Sequence, residues 1–424
     1  MSLSALLAIV RGPTARATLR TSVVLVLRVV LQAATLLLVA RLFGPDRFGA
    51  YAGLTALGVL LGAMSTFGTH FVLLAETSRS FKRRLRVLPY SVPTVLVTGG
   101  ALLLLYALLV LLLPRSGIPA HALVVIAVTE ILLMPLLTIP AVQLQATGRA
   151  ARSQLLLVAP LLLRFLTIAA LFVWPVDDVL VAYVYGSLGA ALLGLAIATV
   201  SQQDPWPALR HWRFARRSEL RRAAGFAALN ITAAGPTELD KALAMRLLPL
   251  GYAGIYAAAA RIIAAVTLPV TALVVAVLPK LLHSMGRHDR INRDMLLLLY
   301  ASSLGYGVAI AVLVWLLAPL LTWLFGDAYA DMRRALELLV FAIPAMTLRM
   351  TSGTLLVAAD RPWIRVRFEI FGIVALAAAA VLLAPSQGLV GMATALLAAE
   401  WTMAFSGGWY VRQQKLHDPE PPRT

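Results

Sequence analysis

Long apolar runs separated by short polar and basic turns dominate this 424-residue chain. A run of about 20 apolar residues is long enough to cross the hydrocarbon layer of a membrane as one helix. The pattern predicts twelve such helices, near residues 21–42, 50–75, 89–113, 120–143, 154–174, 179–200, 224–248, 253–280, 295–318, 333–358, 368–384 and 388–410. We therefore expect an all-α integral membrane protein with no room for a sizeable soluble domain.

The composition supports this fold class. Hydrophobic residues make up 60% of the chain, charged residues make up 13%, and the mean hydropathy is +0.86. Soluble globular proteins carry about 25% charged residues, so that class is excluded. The chain has no cysteine, which excludes disulfides, thiol catalysis and metal sites with cysteine ligands.

The basic residues, which give a formal net charge of +18, are concentrated in alternate short loops. Loops at 79–86, 210–222 and 280–293 are the richest in arginine and lysine. The positive-inside rule predicts that these loops, and with them both termini, are cytoplasmic. The distribution favours contact with anionic membrane lipids and argues against nucleic acid as a partner.

A short sequence repeat predicts two lobes. RLFGPDRFGAYA at 41–52 and RLLPLGYAGIYA at 246–257 align so that Gly49 matches Gly254. The alternative is chance similarity between two tight turns, but the repeat also agrees with the order of the helices. The predicted parts are an N-terminal lobe at 1–200, a basic cytoplasmic linker at 201–223 that lies along the headgroups, a C-terminal lobe at 224–410 and a cytoplasmic tail at 411–424.

Ionisable residues lie inside several predicted helices, where each costs roughly 2.5 to 3.5 kcal/mol unless it is paired or hydrated. The basic ones are Arg28, Arg164, Lys241, Arg261 and Arg349. The acidic ones are Glu130, Glu238, Asp240 and Glu400. In the helix at 224–248, Gly235 and Pro236 predict a kink. Just after it, Glu238 and Lys241 share a helix face, whereas Asp240 is expected to point elsewhere.

Four motifs in order carry a family resemblance. They are ARLFGPDRFGAYA, ELDKALAMRLLPLGYAGIYAAAARI, FGDAYADM and the basic turns ATGRAAR and AADRPWIRVR. At these residues the chain resembles the Wzx-type polysaccharide flippases of the multidrug/oligosaccharidyl-lipid/polysaccharide exporter superfamily. The resemblance implies twelve transmembrane helices in two six-helix lobes around a central cavity, with both termini cytoplasmic. The two additional C-terminal helices of the lipid II flippase branch are missing, which argues against that role.

The resemblance also implies a function. Such flippases move undecaprenyl-diphosphate-linked oligosaccharide from the inner to the outer leaflet of the bacterial cytoplasmic (inner) membrane by alternating access, for O-antigen, capsule or exopolysaccharide synthesis. A polysaccharide polymerase and chain-length proteins are the implied partners. A diphosphate needs fixed cations along its path, so the five basic residues named above become candidate substrate-binding residues. The four acidic residues become candidates for coupling to H⁺, Na⁺ or the membrane potential.

Alternatives stay open for these residues and for the function. In the simpler interpretation, each of these basic and acidic residues only forms a structural ion pair. Arg28 and Arg261 also lie near enough to helix ends for their side chains to reach the lipid headgroups. A drug or cation antiporter of the same superfamily is the nearest alternative function. A membrane polysaccharide polymerase or glycosyltransferase is the alternative of another class, but such an enzyme needs a larger soluble loop. We expect no enzyme activity, cofactor or metal, since no phosphate-binding loop or metal-ligand spacing occurs.

Overall fold

The computed structural model describes residues 13–112, 116–174, 176–202, 206–288, 293–359 and 361–414. All regular secondary structure within these ranges is helical. The helices are α1 (Pro13–Ser65), α2 (Thr69–Arg79), α3 (Arg84–Leu111), α4 (Ala120–Ala127), α5 (Met134–Ala146), α6 (Ala150–Val173), α7 (Val179–Ser201), α8 (Arg217–Leu247), α9 (Leu250–His288), α10 (Arg293–Phe325), α11 (Met332–Leu339), α12 (Ala342–Ala358), α13 (Pro362–Gln387) and α14 (Leu389–Gln414). A π-helical segment, Val128–Leu133, joins α4 to α5.

Nine helical segments in the described part of the chain are long and apolar enough to cross a membrane, or ten if α11 and α12, bent by 46°, form one span. The difference from twelve has two physical reasons. Helix α1 contains the first predicted span and most of the second. Gly44, at φ 71°, and the adjacent Pro45 mark the division between the two. Helix α8 is too polar for the same criterion because it carries acidic and basic residues. The twelve-span count and the cytoplasmic termini stay predictions.

A break that the sequence did not predict separates α1 from α2. Phe67 and Gly68 both adopt left-handed backbone conformations, with φ of 45° and 72°. A Cβ atom on Gly68 would lie 2.5 Å from the carbonyl oxygen of Ala223 on α8, so only glycine permits this approach. The predicted helix at 50–75 is therefore two helices, and α2 leads separately into the basic turn at 79–86.

The chain folds as two compact units. Unit 1 comprises the described residues up to Phe43 together with Leu54–Asn230, and unit 2 comprises Gly44–Gly53 and the residues from Ile231 onward. The boundary falls inside α8 and not in the basic linker that precedes it. The physical reason is that the first half of α8 packs within unit 1, where the Asn230 side chain donates a 2.7 Å hydrogen bond to the carbonyl of Ala63.

The two copies of the repeat contact each other within unit 2. A Cβ atom on Gly49 would lie 2.1 Å from the carbonyl oxygen of Leu250, and one on Gly254 would lie 2.0 Å from that of Pro45. Pro45 and Leu250 are themselves equivalent in the repeat, so the contact is reciprocal. A reciprocal contact of this kind is typical of a local twofold axis, and it supports the repeat over chance similarity.

Candidate functional site

A buried ion pair in α8 forms the first part of the candidate site. The Lys241 ammonium lies 3.1 Å from Oδ1 of Asp240, and both side chains are at most 3% exposed. The other carboxylate oxygen of Asp240 accepts a 3.0 Å hydrogen bond from the Tyr256 hydroxyl on α9. Each oxygen of the carboxylate therefore has a partner, which is the condition for a buried charge to be tolerated.

Lys241 pairs with Asp240, so the expectation that Asp240 points away from Lys241 is wrong. Asp240 also accepts the backbone N–H of Lys241 at 2.8 Å, and the Lys241 ammonium donates to the carbonyl of Thr237. In a regular helix that N–H and that carbonyl bond to each other. The long lysine side chain thus folds back one turn and reaches its neighbour, a geometry that simple helix-face spacing does not anticipate.

A second buried ion pair links α12 to α14. Nε of Arg349 lies 2.7 Å from Oε2 of Glu400, with side-chain exposures of 5% and 0%. The other oxygen, Oε1 of Glu400, has no hydrogen-bond partner among the described residues. Both ion pairs lie in unit 2.

Glu369 is a further buried carboxylate in unit 2, and the sequence analysis missed it. One carboxylate oxygen accepts a 2.6 Å hydrogen bond from Thr232 on α8, and the other lies 2.9 Å from Nε of Arg365 one turn earlier on α13. Its side chain is 1% exposed. The i, i+4 spacing of Arg365 and Glu369 could have identified this pair in the sequence. The predicted helix began at residue 368, however, and so did not include Arg365. In the structure α13 begins at Pro362, a residue that suits a first helical turn.

Unit 1 contains a third pair, between Glu130 and Arg164 on α6. The guanidinium lies 2.8 Å from the carboxylate, and the side chains are 10% and 12% exposed. Glu130 lies in the π-helical segment, a conformation often found at functional sites. The carbonyl of Ile131, in this segment, lacks its usual backbone N–H donor because residue 135 is proline. The Ser65 hydroxyl donates a 2.6 Å hydrogen bond to this carbonyl instead.

Small residues on α1 hold this segment in place. A Cβ atom on Gly62 would lie 2.2 Å from the carbonyl oxygen of Glu130, and one on Gly58 would lie 3.2 Å from the Glu130 Cβ. Gly58, Gly62 and Ser65 recur at helical spacing on one face. This face allows α1 to approach the backbone of Glu130 closely, so the helix pair positions the carboxylate.

Arg28 and Arg261 differ from the other three basic candidates. Both are half-buried, and neither forms an ion pair or a hydrogen bond within the described part of the chain. Arg28 is flanked at helical spacing by Val24 and Leu31, which pack with Val158 of α6, so it lies on a face that contacts protein. The structure thus leaves these two guanidinium groups with bonding capacity, whereas Arg164, Lys241 and Arg349 are already paired.

The described residues contain no group of three His, Asp or Glu side chains that could hold a metal ion. Each unit instead contains matched charges within its helices. Such pairs respond to protonation of the carboxylate or to a competing anion, since either removes the partner of a buried cation.

Comparison with known proteins identifies the fold. No protein-family model and no curated protein matches the chain. An inward-facing multidrug resistance MATE family transporter of the MOP superfamily is similar in structure, with a TM-score of 0.74, 16% identity and coverage of 94% of this chain and 98% of that one. The chain has the fold of the MOP-superfamily transporters. An outward-facing structure of a multidrug resistance MATE family transporter has a TM-score of 0.62 and 17% identity, and the match covers 96% of this chain and 97% of that one.

The MOP-type fold extends to a lipid flippase. The inward closed conformation of the lipid II flippase MurJ has a TM-score of 0.70 and 13% identity, and covers 92% of this chain and 87% of that one. The predicted all-α, multi-pass membrane architecture is thus confirmed at the level of the fold. The Wzx-type assignment stays a prediction.

Proposed function

We propose that the protein flips undecaprenyl-diphosphate-linked oligosaccharide from the inner to the outer leaflet of the bacterial cytoplasmic membrane, for synthesis of a surface polysaccharide. Two lines of support are independent of each other. The MOP-type fold includes a lipid II flippase among its similar structures. The motifs around 41–52 and 246–257 resemble those of the oligosaccharide flippases.

The proposal rests on the absence of an acidic partner for Arg28 and Arg261 among the described residues. Each guanidinium lies in an apolar stretch of its helix and lacks an acidic partner among the described residues. A permanent charge at membrane depth without a partner is costly, so it persists where a ligand or water completes its bonding. Phosphate oxygens match the donor geometry of arginine, so each of these guanidinium groups suits a phosphate group of the substrate.

We assign a coupling role to the three buried pairs. Protonation of Glu130, Asp240 or Glu400 would leave Arg164, Lys241 or Arg349 without its partner, and that cation would then attract the anionic substrate. Proton binding and diphosphate binding would thereby favour each other, which is the requirement for coupled transport. Coupling to Na⁺ or to the membrane potential, and participation of Glu238, are variants of the same proposal.

A drug or cation antiporter is the second candidate. Oε1 of Glu400 has no hydrogen-bond partner among the described residues, and a buried carboxylate oxygen of this kind accepts a cation well. The similarity to a multidrug resistance transporter fits the same function. The two candidates differ in the sign of the substrate charge, so they predict opposite effects of removing positive charge.

The test uses a deletion strain of the source organism complemented with variants. We expect the deletion to stop surface glycan and to leave drug tolerance unchanged. Arg28→Gln and Arg261→Gln should each lower glycan transport about tenfold or more per inserted copy, because a lost charge-assisted contact costs about 1.5 to 3 kcal/mol. Arg334→Gln, which changes an exposed arginine, is the matched control. Normal glycan with lost drug efflux in the deletion strain would support the antiporter and refute the flippase.

A further inference from the structure

A cluster of three arginines surrounds one carboxylate in unit 1, on residues that the ion pairs above do not use. Nη2 of Arg222 donates a hydrogen bond to Oε1 of Glu76 at 2.5 Å. Nη1 of Arg79 lies 3.5 Å from the same oxygen, and Nη1 of Arg83 lies 3.6 Å from Oε2. We call Arg79, Arg83 and Arg222 the arginine cluster.

The charges in this cluster do not balance. The hydrogen bond from Arg222 lowers the pKa of the Glu76 carboxyl, and the charges of the three arginines act in the same direction. Glu76 is therefore ionised at neutral pH, and three positive charges face one negative charge. Guanidinium groups held this close repel one another. A further anion would relieve that repulsion.

The arginine cluster has donors available for such an anion. The side chains of Arg79, Arg83 and Arg222 are 64%, 46% and 52% exposed, whereas that of Glu76 is 12% exposed. At 3.5 and 3.6 Å the contacts of Arg79 and Arg83 with Glu76 are ion pairs longer than hydrogen bonds. Because each guanidinium has five N–H donors, most of their bonding capacity faces solvent.

The local backbone adds positive charge at the same place. After Ser80 a 3₁₀ turn, Phe81–Arg83, leads directly into α3, and its residues include Lys82 and Arg83 but no acidic residue. The start of a helix carries a partial positive charge, so basic side chains there are unfavourable on their own. The turn lies in the segment 79–86, which the charge distribution predicts to be cytoplasmic.

We propose that the arginine cluster binds the phosphate groups of a lipid headgroup at the predicted cytoplasmic surface, and that its occupant is the diphosphate of the lipid-linked substrate before it is flipped. The net charge of the cluster with Glu76, two positive, matches the roughly two negative charges of a diphosphate. The choice of this occupant rests on the proposed function. An anionic phospholipid headgroup has the same phosphate chemistry and is the other source that the experiment must separate.

The experiment measures binding of geranyl diphosphate to the purified full-length protein in phosphatidylcholine nanodiscs. Arg79→Gln with Arg83→Gln should weaken binding about tenfold or more, because two charge-assisted contacts are lost. Arg210→Gln with Arg217→Gln removes the same charge from exposed positions in the neighbouring segment and should leave binding unchanged. Replacing Arg79 and Arg83 by lysine keeps the charge but loses the fork, so it should give intermediate affinity. Thermal melting verifies that each variant is folded.

Two outcomes would overturn the site: unchanged binding in the Arg79 and Arg83 glutamine variant, or an equal loss in the Arg210 and Arg217 control. A second arm repeats the comparison with phosphatidylglycerol and no diphosphate, using native mass spectrometry to count bound lipid. If only phosphatidylglycerol binding depends on the cluster, the phosphate site stands and the diphosphate occupant is refuted. If the deletion strain keeps its surface glycan, the proposed function fails whatever the binding result, so the two failures are distinguishable.

Discussion

Breaking the Arg349–Glu400 pair tests whether this pair acts in transport or only in stability. The pair is 2.7 Å long with exposures of 5% and 0%, so removing one partner leaves a buried, unpaired charge. Arg349→Met should therefore destabilise the protein by about 3 to 5 kcal/mol. Replacing both residues, Arg349→Met with Glu400→Leu, removes the buried charges together. That change should be close to neutral, or stabilising by about 1 to 4 kcal/mol.

The assay combines unfolding of the purified protein in detergent with surface glycan per inserted copy in the deletion strain. If the pair takes part in coupling, the double variant regains stability but not transport. If the pair is structural, both recover together. An Arg349→Met variant that unfolds like the wild type would refute the reasoning, because the burial of Glu400 would then carry no energetic cost.

Two further predictions concern topology and packing. Ser218→Cys should be shielded from an impermeant thiol reagent added outside, whereas Ser386→Cys should be labelled, since the chain has no native cysteine. The opposite labelling would reverse the predicted orientation. Gly62→Ala should destabilise the protein by about 1 to 3 kcal/mol, because its Cβ would lie 2.2 Å from a backbone oxygen of Glu130. Gly100→Ala is the control and should not destabilise the protein, because no atom lies within 4 Å of the added Cβ. Equal melting temperatures of the Gly62→Ala and Gly100→Ala variants would contradict this prediction.

The helical architecture was predictable because hydrophobicity is a local property of the chain. A 20-residue apolar run needs no partner to be identified, and the predicted and observed helices at 179–200 and Val179–Ser201 agree within a residue. The breaks were harder, because they depend on neighbours. Gly68 interrupts its helix where α8 passes close by, and nothing in the surrounding apolar sequence marks that approach.

The candidate site was predictable as a set of residues but not as a set of pairs. Each charge within an apolar run was recognisable as costly, which singled out Arg349 and Glu400 as candidates. These two are 51 residues apart, and only the packing of α12 on α14 makes them partners. For Lys241 the local rule missed Asp240 as a partner because it treats side chains as pointing straight outward. Glu369 was missed because the predicted helix started too late to include Arg365.

The reciprocal contact of the repeat places a limit on how its two copies could diverge. Asp46 and Gly251 are equivalent positions, and a Cβ atom on Gly251 would lie 3.1 Å from Oδ1 of Asp46. Residues near a twofold axis meet their own counterparts, so two aspartates here would compete for one space and bring two carboxylates together. Identical residues are therefore disfavoured at this position of the repeat. Because the two copies differ here, the Asp46 carboxylate of one copy occupies the space beside Gly251 of the other. Two identical copies could not form this contact.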